Sequence, residues 1–444
     1  MKNETKVLEH EVTRMAAATQ SVTTQLAASP NALGIISVRD DKFGAAGDGV
    51  TDDTAAIQAA LNSGMGVFFP AGNYLISAAL RPPSGVHLSG EGYDSKIFCA
   101  RTGWLLDVTA NFGLITVYKV HHVSIRNLRL VGTIDADQTH TPKLIYLEDA
   151  EDISITENWI ENTAFEGIWQ GGDVTKTKRL IVRDNRVKNV GHPAAAYVGL
   201  PAIQVNATEA LIEGNFLTDV GTGIGASGDR ITVAYNRING ITVCGIGTGD
   251  GGAQHGIVIV GNTIEFCARP SIPRVGILLG GGSGDSDAIN VASNTVSISA
   301  APGDANPIGI RGTSASMYAL CGNVVEITGF GNGLQLGGIA DGVIAILTGN
   351  VVRVKSEQQI SYGISAIAGG VDCSLRLISA ANRVLGTTRA VGSFAYDYRA
   401  AGGGKLDLSI DADWTEEGLV RVDKTYFANG EYDNVPIRWP RTRD

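Results

Sequence analysis

The stretch FGAAGDGVTDDTAAIQAAL at residues 43–61, with GMGVFFPAGNYLIS at 64–77, decides how the rest of the chain reads. Gly44, Gly47 and Gly49 supply turns. Thr51 or Asp52 is placed to cap a helix, and Asp53 sits where the positive end of that helix favours an anion. Ala55, Ala56, Ile57, Ala60 and Leu61 give the helix one apolar face. A helix this short, standing directly before the strand-like Val67-Phe68-Phe69 and the turn Pro70-Ala71-Gly72-Asn73-Tyr74, suits a cap: it covers the open edge and apolar end of a stack of strands.

The chain beyond residue 120 recycles one phrase. An alternating run is followed by Asn, a second short alternating run, and a Gly with an aliphatic residue. The asparagines are Asn127, Asn158, Asn185, Asn215, Asn236, Asn262, Asn294, Asn323, Asn350 and Asn382, one about every 28 residues. Short β-rich runs at that period, with no helical periodicity inside them, predict an all-β solenoid of roughly nine or more coils. Asparagine tolerates the left-handed corner such a coil needs, and stacked amides hydrogen-bond from coil to coil. The Gly-aliphatic marker recurs at Gly167-Ile168, Ala202-Ile203, Gly223-Ile224, Gly245-Ile246, Gly276-Ile277, Gly309-Ile310, Gly333-Leu334 and Gly363-Ile364. With each aliphatic pointing inward, its follower points out, so Trp169, Gln204, Gly225, Gly247, Leu278, Arg311, Gln335 and Ser365 are expected as one exposed column.

The opening stretch resembles the pectate-lyase-like superfamily, which includes phage tailspike depolymerases, polygalacturonase relatives and mannuronan epimerases. The resemblance rests on Gly47-Asp48-Gly49, Thr51-Asp52-Asp53-Thr54, Ile57-Gln58 and Pro70 to Tyr74. It implies a right-handed parallel β-helix with an N-terminal capping helix, and a polysaccharide partner lying along the side of the stack. The Gly-His-Gly of the polygalacturonases and the Asp-Pro-His of the epimerases are missing, and Gln254-His255-Gly256 is only a partial echo of the first. Those catalytic residues therefore do not transfer.

Residues 1–33 carry Thr5, Leu8, Val12, Met15, Thr19, Val22 and Leu26 at alternating spacings of three and four, the seam of a short coiled coil that Pro30 ends. An amphipathic helix packed on its own domain is the other reading. The β-helix is expected over 34–400. Residues 401–444, with Trp414, Tyr426, Phe427 and Trp439, are expected to form a last coil and a capping tail.

Thirty-five Lys and Arg against 45 Asp and Glu give a net charge of −10, which argues against nucleic acid as a partner. No run suits membrane insertion, and the first residues lack the apolar core of a secretory leader. Assembly in a host cell and release by lysis, as a virion tail protein or a baseplate attachment, is the expected location; a secreted bacterial protein is the alternative. Five scattered cysteines lack metal-site spacing and are expected as buried thiols; no metal or cofactor is expected.

Counting past each Gly-aliphatic marker brings Asp173, then Thr208 and Glu209, then Asp229, then Asp250 to matching places. Carboxylates stacked that closely would raise one another's pKa and supply the proton donor of a glycosidase, although Asp in a Gly-rich loop also serves turns. Glu166 completes the candidate catalytic acids; Trp169, Gln204, Glu209, His255 and Arg311 are the candidate substrate contacts. His192, Tyr197, His255 and Arg311 would instead suit a lyase acting on a uronate. The reading that follows is a homotrimeric, tailspike-like depolymerase that hydrolyses a bacterial surface polysaccharide. Its rivals are a polysaccharide lyase, a non-catalytic receptor-binding spike and a monomeric cell-wall enzyme.

Overall fold

Each repeat winds into one coil of three short parallel strands, and the coils stack into three parallel sheets. The computed structural model describes residues 34–64, 66–99, 113–134, 143–191, 199–249, 254–266, 274–280, 288–300, 305–313, 317–338, 342–355, 361–369 and 374–385, and the strand segments 394–401, 405–411, 413–415, 420–422 and 437–438. The first sheet begins with Gly113–Tyr118 and Lys143–Glu148, the second with Ile35–Ser37 and Gly66–Phe69, the third with Asp48–Asp52 and Gly72–Ile76. In two coils, at Pro201–Glu213 and Thr222–Ala234, one strand runs unbroken from the first sheet into the second. The fold is a right-handed parallel β-helix.

The stack is closed at its N-terminal end by helix α1 (Thr54–Leu61), which buries Ile57, Ala60 and Leu61. Asp53 is its N-cap residue, and its buried carboxylate accepts N–H bonds from Ala46 and Gly47 at 2.6 and 3.0 Å, so it ties the preceding turn to the helix. Asp52 accepts the Thr54 N–H at 3.0 Å, and Asp48 accepts those of Val50 and Thr51 at 2.8 Å. All three aspartates are thus engaged in turn and cap bonds.

From the coil of His121–Arg126 onward, the corner between the second and third sheets is two residues long in every described coil. Asn158, Asn185, Asn215, Asn236, Asn262, Asn294, Asn323, Asn350 and Asn382 occupy its second position, fully buried or nearly so. Each donates its Nδ2 to the Oδ1 of the asparagine in the next coil, at 2.8–3.0 Å down to Asn350–Asn382. Asp413 ends the row by accepting from the Asn382 amide and backbone. Two expectations are corrected here. The left-handed residue is the one before each ladder asparagine, as at Glu157, Asp184 and Tyr235 (φ 58°, 56° and 53°). Asn127 holds that left-handed place (φ 51°), and the buried Leu128 stands where the ladder would continue. The amide ladder, not backbone tolerance, is what selects Asn.

The Gly-aliphatic column also stacks in register, from Ile168 through Ile203, Ile224, Ile246, Ile277, Ile310 and Leu334 to Ile364. Its glycines are dictated by close approach. A Cβ on Gly245 would lie 2.5 Å from the Gly276 carbonyl and 2.6 Å from Ile264 Cγ2, where first and third sheets meet.

The thiol expectation needs one change: Cys99 and Cys244 are buried, but Cys321 is exposed on the outer face of the second sheet. Strands continue beyond residue 400 at Lys405–Asp411, Val420–Val422 and Ile437–Arg438. The heptads of residues 1–33, and Tyr426, Phe427 and Trp439, lie outside the described residues. Among the described residues no helix is long and apolar enough to cross a membrane.

Candidate active site

The outward column of the first sheet runs Thr116, Tyr146, Trp169, Gln204, Gly225, Gly247, Leu278, Arg311, Gln335, Ser365 and Asp397, in unbroken register. Its exposure differs from the expectation. Arg311 is exposed and Trp169 half-buried, but Gln204, Ser365 and Asp397 are buried. Strand alternation fixes which side a residue faces and says nothing of what lies over it. Trp169 and Arg311 are also five coils apart, roughly 24 Å at one strand spacing per coil, so no single sugar touches both.

A trough lies where the first sheet passes into the second. In the coils of Pro201–Glu213 and Thr222–Ala234 the chain makes no loop there, whereas the coil before carries residues 171–177 and the coil after carries 248–256. The two loopless coils form a floor whose outward rows are Gln204–Gly225, Asn206–Ser227 and Thr208–Asp229. Residues 171–177 border it on one side and the described residues 248–249 and 254–256 on the other. Gly225 and Gly247 leave the floor without side chains, and the Gln204 carboxamide lies over Gly225.

Asp229 stands on this floor with Thr208 beside it in one coil and His255 paired to it in the next. The Arg230 N–H donates to the His255 carbonyl at 2.7 Å, which holds that border against the floor. Next to His255, Gln254 is 1% exposed, and among the described residues neither polar atom of its carboxamide has a hydrogen-bond partner. A buried amide without partners carries a desolvation cost that a bound hydroxyl or ring oxygen would remove.

The acidic ladder read from the sequence does not form. The neighbour of Thr208 toward the N-terminus is Lys178, so Asp173 falls outside the Thr208–Asp229 row. The coil neighbour of Asp229 is His255 where Asp250 was expected, and Asp250 lies outside the described residues, as do His192 and Tyr197. Asp173 sits exposed on the opposite border, accepting the Thr175 N–H and hydroxyl at 2.9 and 2.8 Å. Those bonds hold its carboxyl below the usual range, the opposite of a proton donor. Glu209 is turned to solvent in a left-handed corner, ion-paired with Arg230 at 2.8 Å.

Glu166 belongs to a second cluster at the other end of the first-sheet strands. It is 6% exposed, its Oε2 has no hydrogen-bond partner, and burial raises its pKa against the opposing pull of Lys143. The Lys143 ammonium lies 3.8 Å from the Trp169 ring centroid, and Tyr146, whose hydroxyl donates to Glu148, packs against the same ring at 5.4 Å. Glu166 and Asp229 are separated by seven positions along the strand direction, roughly 23 Å, so they cannot act on one bond. Lys143, Asn206, Ser227 and Gln254 escaped the sequence reading. Register with the Gly-aliphatic column would have found Ser227, which stands two residues beyond Gly225.

The family model for rhamnogalacturonase A/epimerase, pectate lyase-like, matches residues 35–247. The match covers a little under half of the chain and agrees with the pectate-lyase-like superfamily that the capping motif resembles. Similarity to curated proteins is local: mannuronan C5-epimerase AlgE2 of Azotobacter vinelandii is 43% identical over 79 residues, 15% of this chain and 8% of that protein. The chain thus spans under a tenth of that relative's length. Similarity of fold is extensive. PfbA, a surface adhesin of Streptococcus pneumoniae, matches with a TM-score of 0.62 at 15% identity, over 83% of this chain and 92% of that one. The tailspike of E. coli bacteriophage HK620, solved with a pentasaccharide, matches with a TM-score of 0.56 at 12% identity, over 85% and 79%.

Proposed function

We propose that this pectate-lyase-like β-helix is a tailspike-like depolymerase that lays a bacterial capsular, exopolysaccharide or O-antigen chain in the trough and hydrolyses a glycosidic bond there. The observation that carries the reading is the Asp229–His255 register pair beside a floor that residues 171–177 border. Asp229 supplies the carboxylate that stabilises or attacks the developing cation at the anomeric carbon, and His255 serves as its proton-transfer partner. Gln204, Asn206, Ser227 and Gln254 provide the amide and hydroxyl groups that orient sugar hydroxyls, and Trp169 offers a ring face one coil beyond Gln204.

Elimination is the second reading. It needs a cation to neutralise the uronate carboxylate beside the base, but of the cations bordering the trough Lys176 and Arg230 already face Asp149 and Glu209, and Lys178 stands two coils from Asp229. Arg311 is three coils from Gly225. Hydrolysis therefore fits the trough better. Under the same proposal the protein acts as a homotrimer attached to a virion tail through its N-terminus, which predicts a solution mass near three times 46.4 kDa.

The test is a panel of bacterial capsular and lipopolysaccharide preparations, assayed for new reducing ends and for the absorbance of unsaturated sugars. Reducing ends without that absorbance support hydrolysis, and both together indicate elimination. Neither product across a broad panel rejects an enzymatic role and leaves a binding spike. Asp229→Asn is expected to lower turnover at least a hundredfold; unchanged turnover removes the trough as the site.

A further inference from the structure

The third sheet carries a stripe of another kind. Its outward column runs Lys96, Arg129, Trp159, Arg186, Phe216 and Arg237 on consecutive coils. From Arg129 onward, guanidinium and aromatic ring alternate strictly. Arg186 lies 5.5 Å from the Trp159 ring and Arg237 5.7 Å from the Phe216 ring. Tyr93 extends the stripe, with Arg129 at 3.9 Å from its ring and Trp159 edge-on to it at 6.1 Å.

These side chains are not there to close a core. Tyr93 is 48% and Phe216 38% exposed, and Arg186 and Arg237 are exposed as well. Among the described residues neither Arg186 nor Arg237 has a carboxylate partner, whereas Arg129 bonds Glu161 at 2.7 Å. Along the column only Arg129 is paired with a carboxylate among the described residues, on a chain whose net charge is −10. Successive coils are about 4.8 Å apart, so rings recur every 10 Å or so, and guanidinium groups recur at the same interval between them. Such a column matches an extended polymer that offers, in alternation, flat faces to stack and anionic groups to pair.

We infer that the third sheet holds a second saccharide-binding stripe, separate from the trough, that takes an acidic polysaccharide lengthwise with sugar rings on Trp159 and Phe216 and carboxylates on Arg186 and Arg237. Single-stranded nucleic acid also stacks on aromatics between cations. Its phosphate at every nucleotide would meet Glu157, Glu161 and Asp184 at the margin of the stripe, whereas a uronic acid polymer can carry its charge more sparsely. A polymer held on the third sheet would keep the protein on its target between encounters of the trough with a scissile bond.

The probe is a size-fractionated polyuronate titrated into the full chain and followed by tryptophan fluorescence, with neutral dextran and a single-stranded oligonucleotide beside it. The parent protein is expected to bind polyuronate more tightly than either control. The double variant Arg186→Gln/Arg237→Gln should weaken that binding at least tenfold and flatten its salt dependence while the melting temperature holds, because both side chains are exposed. Phe216→Ala should weaken it independently. Asp229→Asn should abolish cleavage and keep this binding, so the trough and the stripe fail separately. The inference is overturned if the parent ignores polyuronate, if the double variant binds like the parent, or if the oligonucleotide binds as tightly. It is equally overturned if the double variant changes the solution mass, which would make the stripe a subunit interface.

Discussion

Replacing Asn215 by Ala cuts the amide ladder at its middle. Its Oδ1 accepts both the backbone N–H and the Nδ2 of Asn185, each at 3.0 Å, and its Nδ2 donates to the Val182 carbonyl and to Asn236 Oδ1, each at 2.9 Å. Two of these partners keep another bond, since Asn185 Nδ2 still reaches Ile155 and Asn236 Oδ1 still accepts the backbone N–H of residue 215. The Asn185 N–H keeps none. A stranded buried donor costs about 1–3 kcal/mol and each of the three further lost bonds about 1 kcal/mol, so Asn215→Ala should destabilise by roughly 4–6 kcal/mol. Asn127→Ala is the control, because Asn127 lies outside the ladder, and its cost should be about 1 kcal/mol for placing Ala in a left-handed corner. Urea unfolding followed by circular dichroism measures both, and hydrogen exchange at Asn185 reads the local opening that a solenoid permits. A loss below about 1 kcal/mol for Asn215→Ala, or equal losses for the two variants, would refute the ladder as the source of corner stability.

Two further outcomes follow from the geometry. Burial raises the Glu166 pKa, so the folded state favours the protonated acid. The stability this contributes is full below the ordinary glutamate value of about 4.3 and is lost as pH rises through the raised folded value. Chemical denaturation across that window should show the loss in the parent and not in Glu166→Gln, which should be the more stable protein at neutral pH. Gly245→Ala forces a methyl against the Gly276 carbonyl and Ile264 and should cost about 3 kcal/mol, while Gly247→Ala, whose nearest neighbour is Cys244 Sγ at 3.7 Å, should leave the melting temperature nearly unchanged. Equal melting temperatures for the two alanine variants would contradict the close approach of first and third sheets.

Most of the scaffold was legible because its signals are local and repeated. The cap, the Gly-aliphatic column and the asparagines each report one coil, and stacking in register carries them through the molecule. The site was legible only in part, for a reason visible at Asp173, Thr208 and Asp229. All three stand five residues beyond an aliphatic marker, at Ile168, Ile203 and Ile224. The count holds for Thr208 and Asp229, whose strands run straight through, and fails for Asp173, where residues 171–177 leave the sheet. Loop length breaks the register, and nothing in strand periodicity announces where a strand will stop. For the same reason the burial of Gln204 and Ser365 could not be read from alternation, which is silent about whatever lies over a sheet.

The three corners divide the labour of the coil. Between the second and third sheets the two-residue corner repeats through every described coil of the asparagine ladder, because the ladder tolerates no insertion: one extra residue would move an asparagine out of reach of both neighbours. Between the first and second sheets the connection ranges from none at all in Pro201–Glu213 and Thr222–Ala234 to the whole of 248–256. No hydrogen-bonded row has to be kept there, so length is free to vary, and unequal lengths on successive coils are what make a floor and its borders. The stable corner thus sets the pitch at which Asp229 and His255 meet, and the permissive corner decides which polymer can lie across them. Shortening the connection within residues 248–253, with Gln254 and His255 kept, should therefore change substrate selection while leaving the Asn215-centred stability intact.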